Sequence, residues 1–471
     1  MNYLLRGLAP DVVAQQMRRF DAAVHGLTLA TFGAKPTDDD CSIATATGLL
    51  TDARLRLRAR DGGLGIGSAM NQAKQAYVGS LCLVLHLVQA ALGDAFTDVA
   101  AKGAFPILAA AEVDGTFAGC DALKGHTVAN LLLASVERVQ RKLSVIAGTA
   151  AAADVVGRIV APEEKAWFLS GKDDGATFLT AYAPRGTAPL SDNQYTALVR
   201  TRLNLTVVRG FDDAAAQACP ACSDITRNGV PLAGHVTRLR RNGTHALHCQ
   251  QPGRGGNLGR RTTQHHRVKF ALVEALRPCA RAADLHEGFL RRGPGEPTVT
   301  DYYPYKAGVV AAPDTDNNRA DIAVNMNGAC LLDVVVSHPV PNTNPACAAV
   351  AGAAAASAHE DKIKHYSIFD IPVGKCVPLS FETGGCFDPR TLSFFKAFVK
   401  FGLASGAETQ PAWDAATRIE YNTRLRSICV YVSLAIARSV ADTLLANVSV
   451  LPSRTLRAVV GGPPGPACAG A

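Results

Sequence analysis

The chain has 471 residues, 48% of them hydrophobic and 19% charged, with a formal net charge of +8. This composition excludes wholesale disorder and supplies material for buried cores, and at roughly 150 residues per domain the length points to several domains. Thirteen Cys, an odd number, and an N-terminus with no basic segment running into an apolar one argue against a secreted disulfide scaffold and for a reducing compartment.

Residues 1–210 read as helical. Pro10 suits a first helical turn, and Val13, Met17, Phe20 and Val24 follow at helical spacing. The most apolar window, Ala76 to Phe96, is interrupted by His86, Gln89 and Asp94 before about 20 clean apolar residues accumulate. It reads as a buried helix, and no membrane partner is expected. Ser191 and Gln194 form a capping-box pattern, with Leu190 and Tyr195 as a hydrophobic staple. The glycines from Gly63 to Gly67 lack the Lys-Ser/Thr and the strand–helix frame of a phosphate loop.

Residues 211–262 are Cys/His- and Arg/Gly-rich. No Asp or Glu lies between Asp224 and Glu274, while Arg227, Arg238, Arg240, Arg241, Arg254, Arg260, Arg261, Arg267 and Lys269 do. So one-sided a stretch repels itself unless a polyanion or a metal site offsets the charge, which makes these residues candidate nucleic-acid contacts. Cys219 and Cys222 form a CxxC, and His245 and Cys249 follow with a helical-turn spacing. Three thiolates and an imidazole suit tetrahedral Zn²⁺, with His235 and His248 as competing ligands. Residues 263–318 read as a connector, opening with a short helix from His265 to Leu276.

From 319 to 460 the pattern turns to mixed strand and helix. Two β-rich runs, Asp321–Asn325 and Ala329–Ser337, flank Asn327-Gly328. The even positions Ile322, Val324, Cys330, Leu332, Val334 and Val336 are apolar and mark the buried face. A two-residue turn would pair 326 with 329 and split that set. A three-residue loop with left-handed Gly328 pairs 325 with 329 and keeps it whole. Asp321 then lies opposite Asp333, with Cβ atoms about 4.5–5.5 Å apart. Carboxylates that close repel unless a cation separates them, and hard oxygen donors suit Mg²⁺ or Mn²⁺. Asn344-Pro345 opens an Ala-rich helix that runs to Tyr366. Lys362 and Tyr366 share one of its faces, and Lys364 is offset. Lys362 is therefore the first choice, and Lys364 the second, for the lysine that orients an attacking water or stabilises developing charge. A strand follows from Cys376 to Glu382, then helices from Asp388-Pro389 and across 409–448. The Gly/Pro/Ala-rich tail 461–471 is expected to be disordered.

Taken together, these elements resemble the C-terminal part of a non-LTR retrotransposon polyprotein that carries a restriction-like endonuclease. The resemblance rests on Asn2 to Arg6, Phe20-Asp21, Arg58 to Ile66 and Ala76 to Ser80 for the region after the polymerase palm, including the thumb. Leu198 to Leu205 resembles the stretch just before the zinc motif. Cys219, Cys222, His245 and Cys249 resemble the CCHC cluster, and Gln264-His265-x-x-Val268 the helix that follows. Asp321, Leu332-Asp333-Val and Lys362-x-x-x-Tyr366 resemble the nuclease motifs, and Phe381 to Gly385 the strand after them. The resemblance implies a multidomain α + α/β chain: a helical, thumb-like half, a zinc segment and a C-terminal domain of the PD-(D/E)xK class. It implies Mg²⁺-dependent nicking of double-stranded target DNA in the nucleus to prime reverse transcription, with element RNA as a further partner. Asp321 and Asp333 would hold the metal and Lys362 would assist the water. Ala320 stands where the pattern has Pro, Gln264 where it has Arg, and Val335 where a simple DxK would place Lys. No palm motif with paired Asp is present, so polymerisation by this chain alone is not expected. The competing expectation is a zinc-dependent nucleic-acid-binding module without chemistry, or a decayed remnant of such an element.

Overall fold

A computed structural model describes residues 9–207 except 36, 40, 95, 181–183 and 185–187, short pieces at 226–227, 230–231, 243–244 and 247, and then 257–279, 298–309, 320–404 and 414–447. It divides into two compact units, 1–158 and 159–455. The described residues are mostly helical, with one small mixed sheet. The zinc-ligand candidates Cys219, Cys222, His245 and Cys249 lie outside the described residues, as do Arg238, Arg240, Arg241, Arg254 and the 461–471 tail.

Unit 1 is a helical bundle: α1 (Pro10–Thr31), α2 (Ala46–Arg56), α3 (Ala69–Leu92), α4 (Asp98–Ala104), α5 (Pro106–Val113), α6 (Val128–Leu133) and α7 (Val139–Arg158). Its core is built from Val78, Leu81, Cys82 and Leu85 of α3 against Leu108, Leu131 and Leu143. The buried face of α1 is Met17, Asp21, His25 and Leu29, while Phe20 is exposed. Apolar spacing alone puts Phe20 inwards. Asp21 and His25 displace it because both find hydrogen-bond partners in the interior. α3 is less buried than its composition implies: Leu83, Val84, Leu87 and Leu92 are exposed. By length and composition, α3 and the last helix of unit 2 are long and apolar enough to cross a membrane.

Unit 2 begins with α8 (Pro162–Ser170), α9 (Thr177–Thr180) and α10 (Asp192–Arg202). These three belong to the unit that holds the sheet, although their helical pattern groups them with residues 1–210. Phe178, Ala197 and Leu198 enter the same core as the sheet, which is why the division falls at 158. The Ser191–Gln194 capping box is present, and Leu190 and Tyr195 both pack against that core. After the two-residue pair β1 (Thr226–Arg227) and β2 (Val230–Pro231) comes α11 (Asn257–Leu276). It is longer than the pattern indicates. Val268, Leu272 and Leu276 are fully buried, so this part of the sequence-defined connector is a core element.

The sheet has the order β3 (Ile322–Asn325), β4 (Ala329–Ser337), β5 (Cys376–Glu382). β3 and β4 are antiparallel, with Asn325 opposite Ala329, so the three-residue loop and its register are as the apolar pattern requires. Asn327 (φ 54°) and Gly328 (φ 104°) both take left-handed backbone in the loop. β5 runs parallel to β4, which demands a long crossover. The crossover holds α12 (Ala353–Tyr366). The chain does not form one helix from Pro345. A short 3-10 turn ends at Ala348 and the backbone breaks at Gly352, whose φ of 78° a side chain would resist. α13 (Pro389–Leu403) and α14 (Ala415–Asn447) complete the unit.

Period-two alternation divides the sheet's contacts. Ile322, Val324, Cys330, Leu332 and Val334 face α11, α13 and α14 in the main core. Ala323 and Leu331 face the other way, towards Val299, Tyr366 and Phe369. Fully burying an aromatic, such as Phe395 in the main core or Phe369 on the other side, contributes about 1.5–3 kcal/mol.

Candidate active site

Asp321 sits just before β3, and the register that pairs Ile322 with Leu332 sets it opposite Asp333. Both acids are buried, at 5% and 3% exposure, and close enough that each shifts the other's protonation. α12 crosses above them because its apolar side packs on β4 and β5. Its last turns bring Lys362 Nζ to 2.8 Å from Asp333 Oδ2. The Tyr366 hydroxyl donates to the same oxygen at 2.6 Å. Lys364 is exposed, as its two-residue offset from Lys362 requires. The first-choice lysine thus stands at the acid pair and the second-choice one does not.

Two further side chains arrive that the nuclease pattern does not assign to this site. His265 Nε2 lies 2.8 Å from Asp321 Oδ1, and Lys269 Nζ lies 3.5 Å from the same oxygen. Both come from α11, where their four-residue spacing puts them on one face. The Val334 N–H donates to Asp321 Oδ2 at 2.6 Å. Lys269, a nucleic-acid candidate by charge, is therefore part of the acid site. Arg267, another such candidate, pairs with Asp442 on α14. Arg260 and Arg261 lie on the first turns of α11. The available sequence signal for His265 and Lys269 was their helical spacing inside a stretch devoid of acids.

The electrostatics are asymmetric. Burial pushes Asp333 up to about 6, helped by the charge of Asp321 and opposed by Lys362 and Tyr366. Burial acts on Asp321 too. There, the hydrogen bond and charge of His265, the Val334 N–H and the hydrogen bond with Asp333 outweigh it and hold Asp321 below the usual carboxylate range. Below about pH 6 the pair therefore keeps one proton, on Asp333. Burial opposes a charge on His265, but the Asp321 hydrogen bond and the two acidic charges raise its pKa overall. Burial and Asp333 push Tyr366 far upward, so it remains a hydrogen-bond donor.

A third buried acid positions this assembly. Glu382, at the end of β5, is 1% exposed. It accepts the Ala354 N–H at 2.8 Å, together with the N–H groups of Ala355 and Gly352 and the Ser170 hydroxyl. The N-cap residue of α12 is Gly352, which has no side chain to cap with. Glu382 does that work from the neighbouring strand and interacts favourably with the helix dipole. The Gly384 backbone then approaches Ser170 so closely that a Cβ would lie 2.3 Å from its hydroxyl. Glu382 thus fixes the start of the helix whose far end carries Lys362 and Tyr366.

The donor set can be tested against a divalent cation. Among the described residues, no three His, Cys, Asp or Glu side chains gather to hold a metal ion. Asp321 and Asp333 supply two hard oxygen donors, and Asp333 keeps its proton only because burial and a like charge make the doubly ionised pair unfavourable. A cation relieves that cost. Mg²⁺ is ordinarily bound through one or two carboxylates plus waters and substrate phosphates, so the pair fits it without a full protein cage. No known protein family, no characterised protein and no solved structure matches the chain.

Proposed function

We propose that the chain is a Mg²⁺-dependent DNA endonuclease of the PD-(D/E)xK class that nicks double-stranded target DNA as part of a non-LTR retrotransposon polyprotein in the nucleus. The observation that carries this reading is the meeting of Asp321, Asp333 and Lys362 on one hairpin and one crossover helix. The order helix, hairpin, helix, parallel strand supports the fold assignment.

Asp321 and Asp333 would hold Mg²⁺, or Mn²⁺, which when bound supplies positive charge to the scissile phosphoryl group. The chain's own residues do the rest. His265, Lys269 and the Val334 N–H orient Asp321, and Tyr366 orients Asp333. The Lys362 ammonium faces the pair from the half-exposed side, where it can hold an attacking water and stabilise charge that develops on the phosphate. Zn²⁺ on Cys219, Cys222, His245 and Cys249 would organise the segment before α11.

The test is nicking of supercoiled plasmid with Mg²⁺. Asp333→Ala should lower the rate by about hundredfold or more, with Asp333→Asn as the isosteric check on folding. Equal cleavage by wild type and Asp333→Asn would overturn the reading. Salt-sensitive DNA binding with no metal-dependent cleavage would favour a binding module instead.

A further inference from the structure

A second charged feature lies in unit 1, remote in sequence from the acid pair. The first turns of α7, Arg138 just before them, and Gly119 and Asp121 from the segment between α5 and α6 line an open pocket of about 330 Å³. Arg138, Arg141 and Lys142 line one wall. Val145 and Ile146, one turn further along the same helix face, line another and are both exposed. Asp121 is the single carboxylate on the lining. Among the described residues no ion pair engages the three cations. Some other cations of unit 1 are paired, though not all. Lys74 pairs with Asp114 at 2.7 Å, Lys102 with Asp98 and Glu112, and Arg158, at the far end of the same helix, with Asp154. Three cations within about one helical turn, with Asp121 as the one carboxylate on the same lining, repel one another, and a polyanion relieves that repulsion.

We infer that this pocket is a binding site for the phosphodiester backbone of a nucleic acid, with Arg138, Arg141 and Lys142 on successive phosphates. Arginine presents several donors in a planar fork suited to phosphate oxygens, and lysine adds a point charge. Val145 and Ile146 give the sugar an apolar surface. A bilayer is a poorer fit, because an interfacial helix needs a broad apolar face and this surface is a concavity with only two aliphatic side chains. The lining has no aromatic residue, so contact is through the backbone and not by base stacking. The inference does not rest on the nuclease reading, since none of its residues belongs to unit 2.

The experiment is fluorescence anisotropy of a short fluorescein-labelled DNA duplex with the full chain, in EDTA so that no cleavage intervenes, across a range of NaCl. Arg138→Ala/Arg141→Ala/Lys142→Ala should weaken binding about tenfold or more, and make the dependence of log affinity on log salt shallower by about 2–3, near 0.9 for each phosphate no longer neutralised. Arg141→Gln/Lys142→Gln, which leaves the left-handed Arg138 in place, should make it shallower by about 2. Arg141→Lys and Arg158→Ala should keep the wild-type slope. An unchanged affinity and slope in both multiple variants, with melting curves like wild type, would overturn the inference. So would loss of binding to phosphatidylserine vesicles or to an acidic peptide while binding to the duplex stays intact.

Discussion

Each unit buries an acid beside the start of a long helix, and the contrast between the two shows what distinguishes scaffold from site. In unit 1, Asp21 accepts the Ser68 hydroxyl at 2.6 Å and the N–H groups of Ala69 and Met70 at 2.8 and 3.2 Å, at the N-terminus of α3. Arg56 stands 3.6 Å away and also pairs with Asp52, which in turn holds His25. Every partner of Asp21 is a donor, and its charge sits where a helix dipole favours it. Glu382 in unit 2 is built the same way. Asp321 and Asp333 are not. They face each other, one stays protonated up to about pH 6, and cationic side chains from two different helices converge on them. Burial of an acid is thus no functional signal in itself. Two acids that raise each other's cost, with one edge open to a lysine, are such a signal.

The strongest way to break that comparison is at Lys362. Lys362→Ala should lower the single-turnover nicking rate by about 10²–10⁴-fold, the range for loss of a positioned proton-transfer or charge-stabilising group. Lys364→Ala, on the exposed side of α12, should leave the rate within about twofold. Equal effects of the two would remove the geometric basis for choosing between them.

The next effect is on stability. In the metal-free protein, Asp333 binds its proton more tightly folded than unfolded. Its contribution to stability is therefore fully present below about pH 4 and is lost as pH rises through about 6. From an unfolded value of about 3.9, the loss amounts to about 3 kcal/mol. Urea unfolding at pH 4 and pH 7 in EDTA should show this fall in the wild type and a smaller one in Asp333→Asn. Added Mg²⁺ should restore stability at pH 7 in the wild type only. A pH profile identical in the two proteins would show that the acid pair is solvated like any surface pair.

The hairpin register, the opposition of Asp321 to Asp333, the position of Lys362 and not Lys364 beside the acids, and the bounds of β5 were all legible in the sequence. Each follows from a short-range period: apolar residues at every second position around Asn327-Gly328, and four-residue spacing on α12. The zinc ligands remain an expectation of spacing and resemblance. What was not legible depends on which element arrives from a distance. His265 reaches Asp321 across 56 residues of sequence, and nothing local to either residue specifies that meeting. Glu382 reads as one more strand residue until the Gly352 break gives it a helix to cap. Asp21 and His25 fall on a stripe that apolar periodicity assigns to solvent, because their interior partners lie on other segments. The placement of α8 to α10 with the sheet is decided by Phe178, Ala197 and Leu198, whose pattern alone fits any helical core.

The smallest effect separates the two capping acids. Asp21→Ala and Glu382→Ala each strand buried N–H donors at a helix start, and each should destabilise its unit by about 1–3 kcal/mol. Asp21→Asn and Glu382→Gln should recover part of this, because a carboxamide oxygen still accepts one N–H. The two losses then diverge in function. At a temperature where both variants remain folded, Glu382→Ala should slow nicking, since α12 loses the cap that fixes where Lys362 and Tyr366 end. Glu382→Gln should recover rate along with stability, and the deficit should appear in the maximal rate more than in DNA affinity. Asp21→Ala should nick at the wild-type rate. If Asp21→Ala slowed nicking as much as Glu382→Ala at the same folded fraction, the effect of Glu382 would be stability alone, and α12 would hold its lysine without help from the strand beside it.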